Sequence, residues 1–149
     1  MPDRAPEKPK IIVALDFGLR RIGIASGDTL TRAAHPRSAV GNGPQGPDWT
    51  SIERVLADTR PARIAVGEPY NADGSTSPLT EAARRFAAEL ANRSALPVDL
   101  VDERWSSQDA EERLRAQRAS GERKRRVTRE DVDAAAAAII LERWFERHT

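Results

Sequence analysis

The chain has 149 residues and a mass of 16.4 kDa, enough for one hydrophobic core and too little for two. It holds no cysteine, which excludes disulfide scaffolds, thiolate zinc sites and cysteine nucleophiles together. Its 24 basic and 23 acidic residues leave a formal net charge of +1, so bulk charge by itself points to no partner.

No apolar run approaches the roughly 20 residues of a membrane span, and the N-terminus lacks the apolar stretch of a signal peptide. The expectation is a soluble, cytoplasmic protein with no membrane partner. Apolar residues make up 39% of the chain, and 24 residues are alanine; eight Ile, eight Val and ten Leu suit one two-layer core. Of the basic residues 21 are Arg and 3 are Lys, so most are planar forks suited to phosphate.

Residues 1–10, with three prolines, are expected to form a disordered tail, and residues 11–149 a single domain. Ile11–Leu15 is a branched apolar run ending at Asp16, which predicts a buried strand. Phe17–Arg20 turns the chain, and Arg21–Ser26 alternates like a hairpin partner. His35–Val40 predicts a third strand, and Gly41–Pro47, with three Gly and two Pro, a loop. Asp48 is placed to cap a helix running to Thr59, with Trp49, Ile52, Val55 and Leu56 on its apolar face. Arg63–Gly67 predicts a further buried strand, followed by a turn-rich loop to Ser77. Ser77 and Pro78 start a helix carrying Leu79, Ala82, Ala83, Phe86 and Leu90 on one stripe. Val98–Val101 is the last strand, Ser106 or Ser107 begins a polar helix to about Ala119, and Thr128 with Asp131 forms a capping-box signal. The final helix buries Val132, Ala135, Ala136, Ile139 and Ile140. Three hairpin-type strands followed by strand–helix alternation predict an α/β fold, a mixed central sheet flanked by helices.

Three carboxylates stand at element ends. Asp16 closes the first strand, where an acid serves equally as a turn cap. Glu103, beside Asp102, follows the last strand. Asp133 lies at the edge of the final helix's apolar stripe, where a carboxylate is costly unless paired or bound to a cation, or serves the helix start as a cap-region acid. The five alanines Ala134–Ala138 would let that helix press closely on the sheet. If the first and last strands lay side by side, all three acids would converge. Carboxylates without Cys, and with His only at positions 35 and 148, suit Mg²⁺ or Mn²⁺ rather than zinc. Neither histidine is placed as a catalytic base, and no GxxxxGK[ST] motif is present.

Four segments together resemble the YqgF/RuvX family of ribonuclease H-like proteins. These are Asp16–Ala25 (DFGLRRIGIA), Val66–Ser75 (VGEPYNADGS), Asp102–Ser107 (DERWSS) and Val132–Glu142 (VDAAAAAIILE), in the family's order. The resemblance implies a ribonuclease H-like nuclease domain over residues 11–149. It also implies Asp16, Glu103 and Asp133 as catalytic, metal-binding acids, and two-metal phosphodiester hydrolysis. Precursor 16S ribosomal RNA is the partner it implies, with the ribosome nearby and a monomer or weak homodimer at work. Branched DNA, or RNA binding without turnover, are the alternative readings. A sugar-kinase or actin-like ATPase is disfavoured, since it needs a second domain and a second phosphate loop. Leu19 departs from the family's usual Thr, and Glu68 and Tyr70 from an apolar residue and a Leu or Lys; an acid at 68 puts phosphate contacts by that loop in question.

From Arg113 to Arg129 eight basic residues stand against one acid, a net +7, so the rest of the chain sums to −6. This run joins the elements carrying Glu103 and Asp133, and is expected to clamp phosphates through Arg123, Lys124, Arg125 and Arg126. Arg20, Arg21 and Arg104 stand beside the acids, and Asn71, Gly74 and Ser75 remain from the central loop as nucleic-acid contacts. Trp105 is a candidate for base stacking, or else a core ring. Trp49 and Trp144 read as helix packing.

Overall fold

The computed structural model describes residues 8–103, 106–119 and 126–148. Strands β1 (Ile11–Phe17), β2 (Arg21–Asp28) and β3 (Ala34–Gly43) form an antiparallel meander, and a two-residue β4 (Gly46–Pro47) folds back on β3. Helix α1 (Trp49–Thr59) leads to β5 (Arg63–Glu68), α2 (Pro78–Ser94) to β6 (Val98–Asp102), and α3 (Ser106–Ala119) to α4 (Arg129–Arg147). The sheet order is β4-β3-β2-β1-β5-β6, with β5 parallel to both β1 and β6. The expected mixed sheet flanked by helices is present. The condition considered for convergence of the acids is not met as stated: β1 and β6 are not neighbours, because β5 is inserted between them.

The helix starts lie where their caps predict. Asp48 accepts the Ser51 amide at 3.2 Å, Ser77 and Thr80 form a capping box ahead of Pro78, and Thr128 and Asp131 form another ahead of α4. The segment 41–47 is more ordered than a loop: β3 runs on to Gly43 and pairs back through Gly46, whose φ of +96° suits glycine. Pro36 sits in β3 beside the register shift at Ile24/Ala25, a bulge position where a missing amide is tolerated. At the N-terminal side, Lys10 exchanges two hydrogen bonds of 3.0 Å with Thr29; residues 1–7 of the expected tail lie outside the described residues.

Strand alternation divides the core. Val13, Leu15, Phe17, Ile22, Ile24, Ile64 and Val66 face α1 and α2, meeting Ile52, Ala83, Phe86 and Leu90 in the larger cluster. There Trp49 stacks on Phe86 with 5.4 Å between ring centres, the packing role expected of it. Ile12, Ala14 and Ala65 face the other way and meet Ile140, Leu141, Trp144 and Phe145 of α4. Helix α3 packs on the outside of α4 through Ala110 and Leu114.

The α4 side of the sheet is built from small residues. Ala25 touches Ala137 and Ala138, and all five alanines Ala134–Ala138 are buried. At Gly23 the helix backbone itself comes down on the strand: a methyl group there would stand 1.9 Å from the Asp133 carbonyl oxygen. Backbone cannot yield as a flexible side chain does, so the closeness of α4 depends on this glycine.

Gly23→Ala is therefore expected to cost about 1–3 kcal/mol through forced displacement of α4. Gly41→Ala, where an added methyl meets nothing within 4 Å, should stay within about 0.5 kcal/mol of the parent. Urea midpoints of the two variants check the contrast.

Candidate active site

Asp16 shares the α4-facing side of β1 with Ile12 and Ala14, and its cross-strand partner is Gly23. The bare backbone at Gly23 lets α4 descend there, and that contact sets Asp133 beside Asp16. Glu103 arrives from the other side. Its amide donates to the Glu68 carbonyl at 3.3 Å, extending the β5–β6 pairing past Asp102. Its carboxylate then lies over Gly67, where an added methyl would stand 2.8 Å from the carboxyl group and 2.4 Å from Ile140 Cδ1. Across that gap Glu103 hydrogen-bonds the Asp16 carboxyl. Thus β5 separates the two acid-bearing strands, and its glycine gives the acids the space to meet.

The electrostatics follow from this packing. Burial pushes the Asp16 carboxyl above its ordinary range, the hydrogen bond from Glu103 partly opposes that, and the negative charge of Asp133 adds to the rise. A direct bond between two carboxyls requires a proton between them unless a cation takes its place. Glu103 is only 7% exposed, so its charge is poorly hydrated as well. Asp133 is held by Arg21, whose Nε lies 2.6 Å from Oδ2. Asp16 thus neighbours both Glu103 and Asp133, but among the described residues no three such side chains stand together closely enough to hold a metal ion. The donor chemistry, hard carboxylate oxygens with no sulfur or imidazole among them, suits Mg²⁺ or Mn²⁺.

Of the other predicted contacts, Arg21 is engaged with Asp133, while Arg20 is exposed on the β1–β2 turn. That turn is pinned by Asn42, which donates from Nδ2 to the Gly18 carbonyl at 2.6 Å and from its amide to the Arg20 carbonyl at 2.8 Å. Asn71, Gly74 and Ser75 form a closed turn: Asn71 N donates to the Ser75 carbonyl, Gly74 N to the Asn71 carbonyl, and Asn71 Nδ2 to Ser75 Oγ at 2.9 Å. Gly74 has φ +87°, the left-handed conformation its type allows. Arg126 is exposed just before α4. Arg104, Trp105, Arg123, Lys124 and Arg125 lie outside the described residues.

Glu68 resolves differently from its sequence position. It follows Gly67 on β5 and so points to the opposite face, where Arg84 Nε meets Oε2 at 2.6 Å and the Tyr70 hydroxyl donates to Oε1. Its charge is taken up by Arg84 of α2 and by Tyr70. Thr80 also donates to the Pro69 carbonyl, so the loop after β5 is tied to α2 at two points. Neither histidine enters the site. His35 is exposed on β3, and His148 stacks on Trp144, itself held by an Nε1 bond to Asp99 of 2.8 Å. Gly23, Gly67, Asn42 and Arg84 were not singled out from the sequence. The glycines had a signal: Gly23, Ala25 and Gly27 put three small residues on one strand face.

Residues 10–147 match the family model described as RuvX, Holliday junction resolvase. A relative from Xanthomonas campestris pv. campestris (strain 8004) is 42% identical over 146 residues, covering 97% of this chain and 94% of its own. One from Edwardsiella ictaluri (strain 93-146) is 44% identical over 138 residues, covering 93% and 96%. Both carry the name pre-16S rRNA nuclease. Among solved structures, Thermus thermophilus RuvC in complex with a Holliday junction aligns with a TM-score of 0.54 at 20% identity, covering 93% of this chain and 94% of that one. At that identity the likeness establishes the fold, which is ribonuclease H-like as expected.

The rise at Asp16 fixes the sign of a stability effect. A carboxyl with a raised pKa in the folded state contributes stability below its unfolded value, ordinarily 3.8, and loses it as pH climbs through the folded value. In EDTA, the wild type should therefore lose stability relative to Asp16→Asn as pH rises from acid towards neutral. Denaturant midpoints of the two proteins across pH measure the gap; a gap that stays constant with pH would contradict the assignment.

Proposed function

The chain belongs to the RuvX family, and on that premise we propose that it is a divalent-cation-dependent nuclease trimming the 5′ end of precursor 16S ribosomal RNA. That it hydrolyses phosphodiester bonds follows from the family and its nuclease relatives. The observation that supports the cation dependence is the packing of the Asp16 and Glu103 carboxyls across Gly67 with Asp133 beside Asp16; the choice of precursor 16S RNA rests on the names of the relatives.

In this reading Asp16, Glu103 and Asp133 would hold Mg²⁺ or Mn²⁺, which when bound would supply an acidified water and offset charge at the phosphate. The protein's own groups do the rest. Burial and the neighbouring charge of Asp133 make a charged Asp16 unfavourable, and a bound cation would offset that cost. Arg21 holds the Asp133 carboxylate in place and brings a guanidinium next to the reacting phosphate. The protein works in the cytoplasm on assembling ribosomes, as a monomer or weak homodimer. The family description favours a second reading, resolution of a Holliday junction, and that reaction requires two such sites acting together.

Purified protein incubated with precursor 16S RNA, and separately with a four-way DNA junction, should cleave the RNA only with Mg²⁺ or Mn²⁺. Asp16→Asn should lower turnover by more than about a hundredfold and leave RNA affinity in EDTA nearly unchanged. Metal-dependent symmetric cutting of the junction, with the RNA untouched, would establish the second reading instead. Undiminished turnover by Asp16→Asn would remove the site assignment.

A further inference from the structure

We infer that the groove between α3 and the start of α4 holds the sugar–phosphate backbone of the RNA strand leading into the carboxylate site, through Arg115, Arg118, Arg126 and Arg129. This rests on the reading of the protein as an RNA nuclease and extends it from the reacting phosphate to the strand beside it.

The groove encloses about 330 Å³, with Val127 and Val132 among its lining residues and the four arginines around them. Both valines pack on the α3–α4 apolar cluster, so this apolar surface is fixed by the fold. Arg115 and Arg118 are three residues apart on α3 and share a helix face, while Arg126 and Arg129 come from the segment entering α4. An apolar base edged by planar cations is matched to a nucleotide strand, sugars and bases on the valines and phosphates on the guanidiniums.

What sets this groove apart is that several arginines without acidic partners gather in one place. Some arginines elsewhere face acids, Arg63 on Asp99, Arg84 on Glu68, Arg113 on Glu142 and Arg93 between Glu53 and Glu89, while others, such as Arg54 and Arg85, are exposed on α1 and α2. In the groove only Arg115 has an acidic partner, Glu111 at 3.6 Å, and Arg118, Arg126 and Arg129 have no carboxylate partner among the described residues. Uncompensated cations gathered in one groove repel one another, and a polyanion removes that cost. The helix end is not the attraction, since the Thr128–Asp131 capping box occupies its amides and Glu130 and Asp131 add negative charge.

The groove also leads to the site. It shares Thr128 and Arg129 with a second cleft of about 510 Å³, lined by Arg21 and Arg37 and also by the acids Glu130 and Asp131. Arg21 is the residue bound to Asp133. A strand lying in the groove passes over the first turn of α4 and reaches the carboxylates from the Asp133 side.

The test is binding of a fluorescently labelled single-stranded RNA in EDTA, followed by anisotropy over a range of KCl concentrations. Arg118→Gln/Arg129→Gln should weaken binding roughly tenfold or more and flatten the salt dependence by about 1.4 log units per log unit of salt, the loss of two contacts to a single strand. Arg54→Gln/Arg85→Gln removes the same charge from exposed positions on α1 and α2 and should leave the slope unchanged. Equal effects of the two double variants, or a groove variant that binds like the wild type, would overturn the inference. The nuclease reading is scored separately by cleavage: an RNA-cleaving wild type with an unaffected groove variant removes the groove alone. A wild type inactive on RNA whose groove variant still loses affinity removes the nuclease reading alone.

Discussion

The site depends on how closely one helix can approach one sheet. Helix α4 meets β2 with alanines on its inner face and glycine and alanine beneath it, and at Gly23 the contact is backbone against backbone. Larger side chains would seat the same helix farther from the strand, at the usual separation set by interlocking side chains. Asp133 would then move away from Asp16 by that difference. The alanine run therefore does more than favour helix: it sets the distance between two carboxylates on separate elements. Gly67 repeats the device on β5, on the far side of β1, where an absent side chain is the space through which Glu103 reaches Asp16. Two missing methyl groups position the acids.

Much of this was legible from the sequence in its local parts. Branched runs marked the strands, and Asp48, Ser77 and Thr128 marked the helix starts, because strand burial and capping are decided by neighbours in the chain. The three acids were legible too, through their positions at element ends and the four family-like segments. Their route to one another was not. Side-by-side placement of β1 and β6 would have brought the acids together simply, but the sheet inserts β5, and strand order is settled by crossover connections rather than by local pattern. The pairing of Arg21 with Asp133 spans 112 residues and has no local signature.

Glu68 shows what single-position reasoning misses. Set beside a phosphate-type loop, its charge looks adverse, yet strand alternation sends Gly67 and Glu68 to opposite faces. The face that receives Glu68 belongs to α2, and Arg84 and Tyr70 receive the carboxylate. The departure from the family pattern thus becomes an anchor: the Glu68 carbonyl holds the Glu103 amide while its side chain fastens the same strand end to α2.

The net charge of +1 conceals a sorting of charges in space. On α2 and at the β5–β6 edge several arginines are paired with carboxylates, and such exposed pairs contribute little to stability. Their effect is to offset charge at those positions. Near α4 the sorting is reversed: acids are collected under the first turns, and arginines without acidic partners lie outside them. Each group is unfavourable alone, one for buried like charge and the other for exposed like charge. A nucleic-acid strand whose phosphate meets a cation over the acids would relieve both at once. Because this sorting runs across separate elements, a composition near neutrality could not have disclosed it, and the same composition with arginines and acids exchanged between the faces would hold no such site.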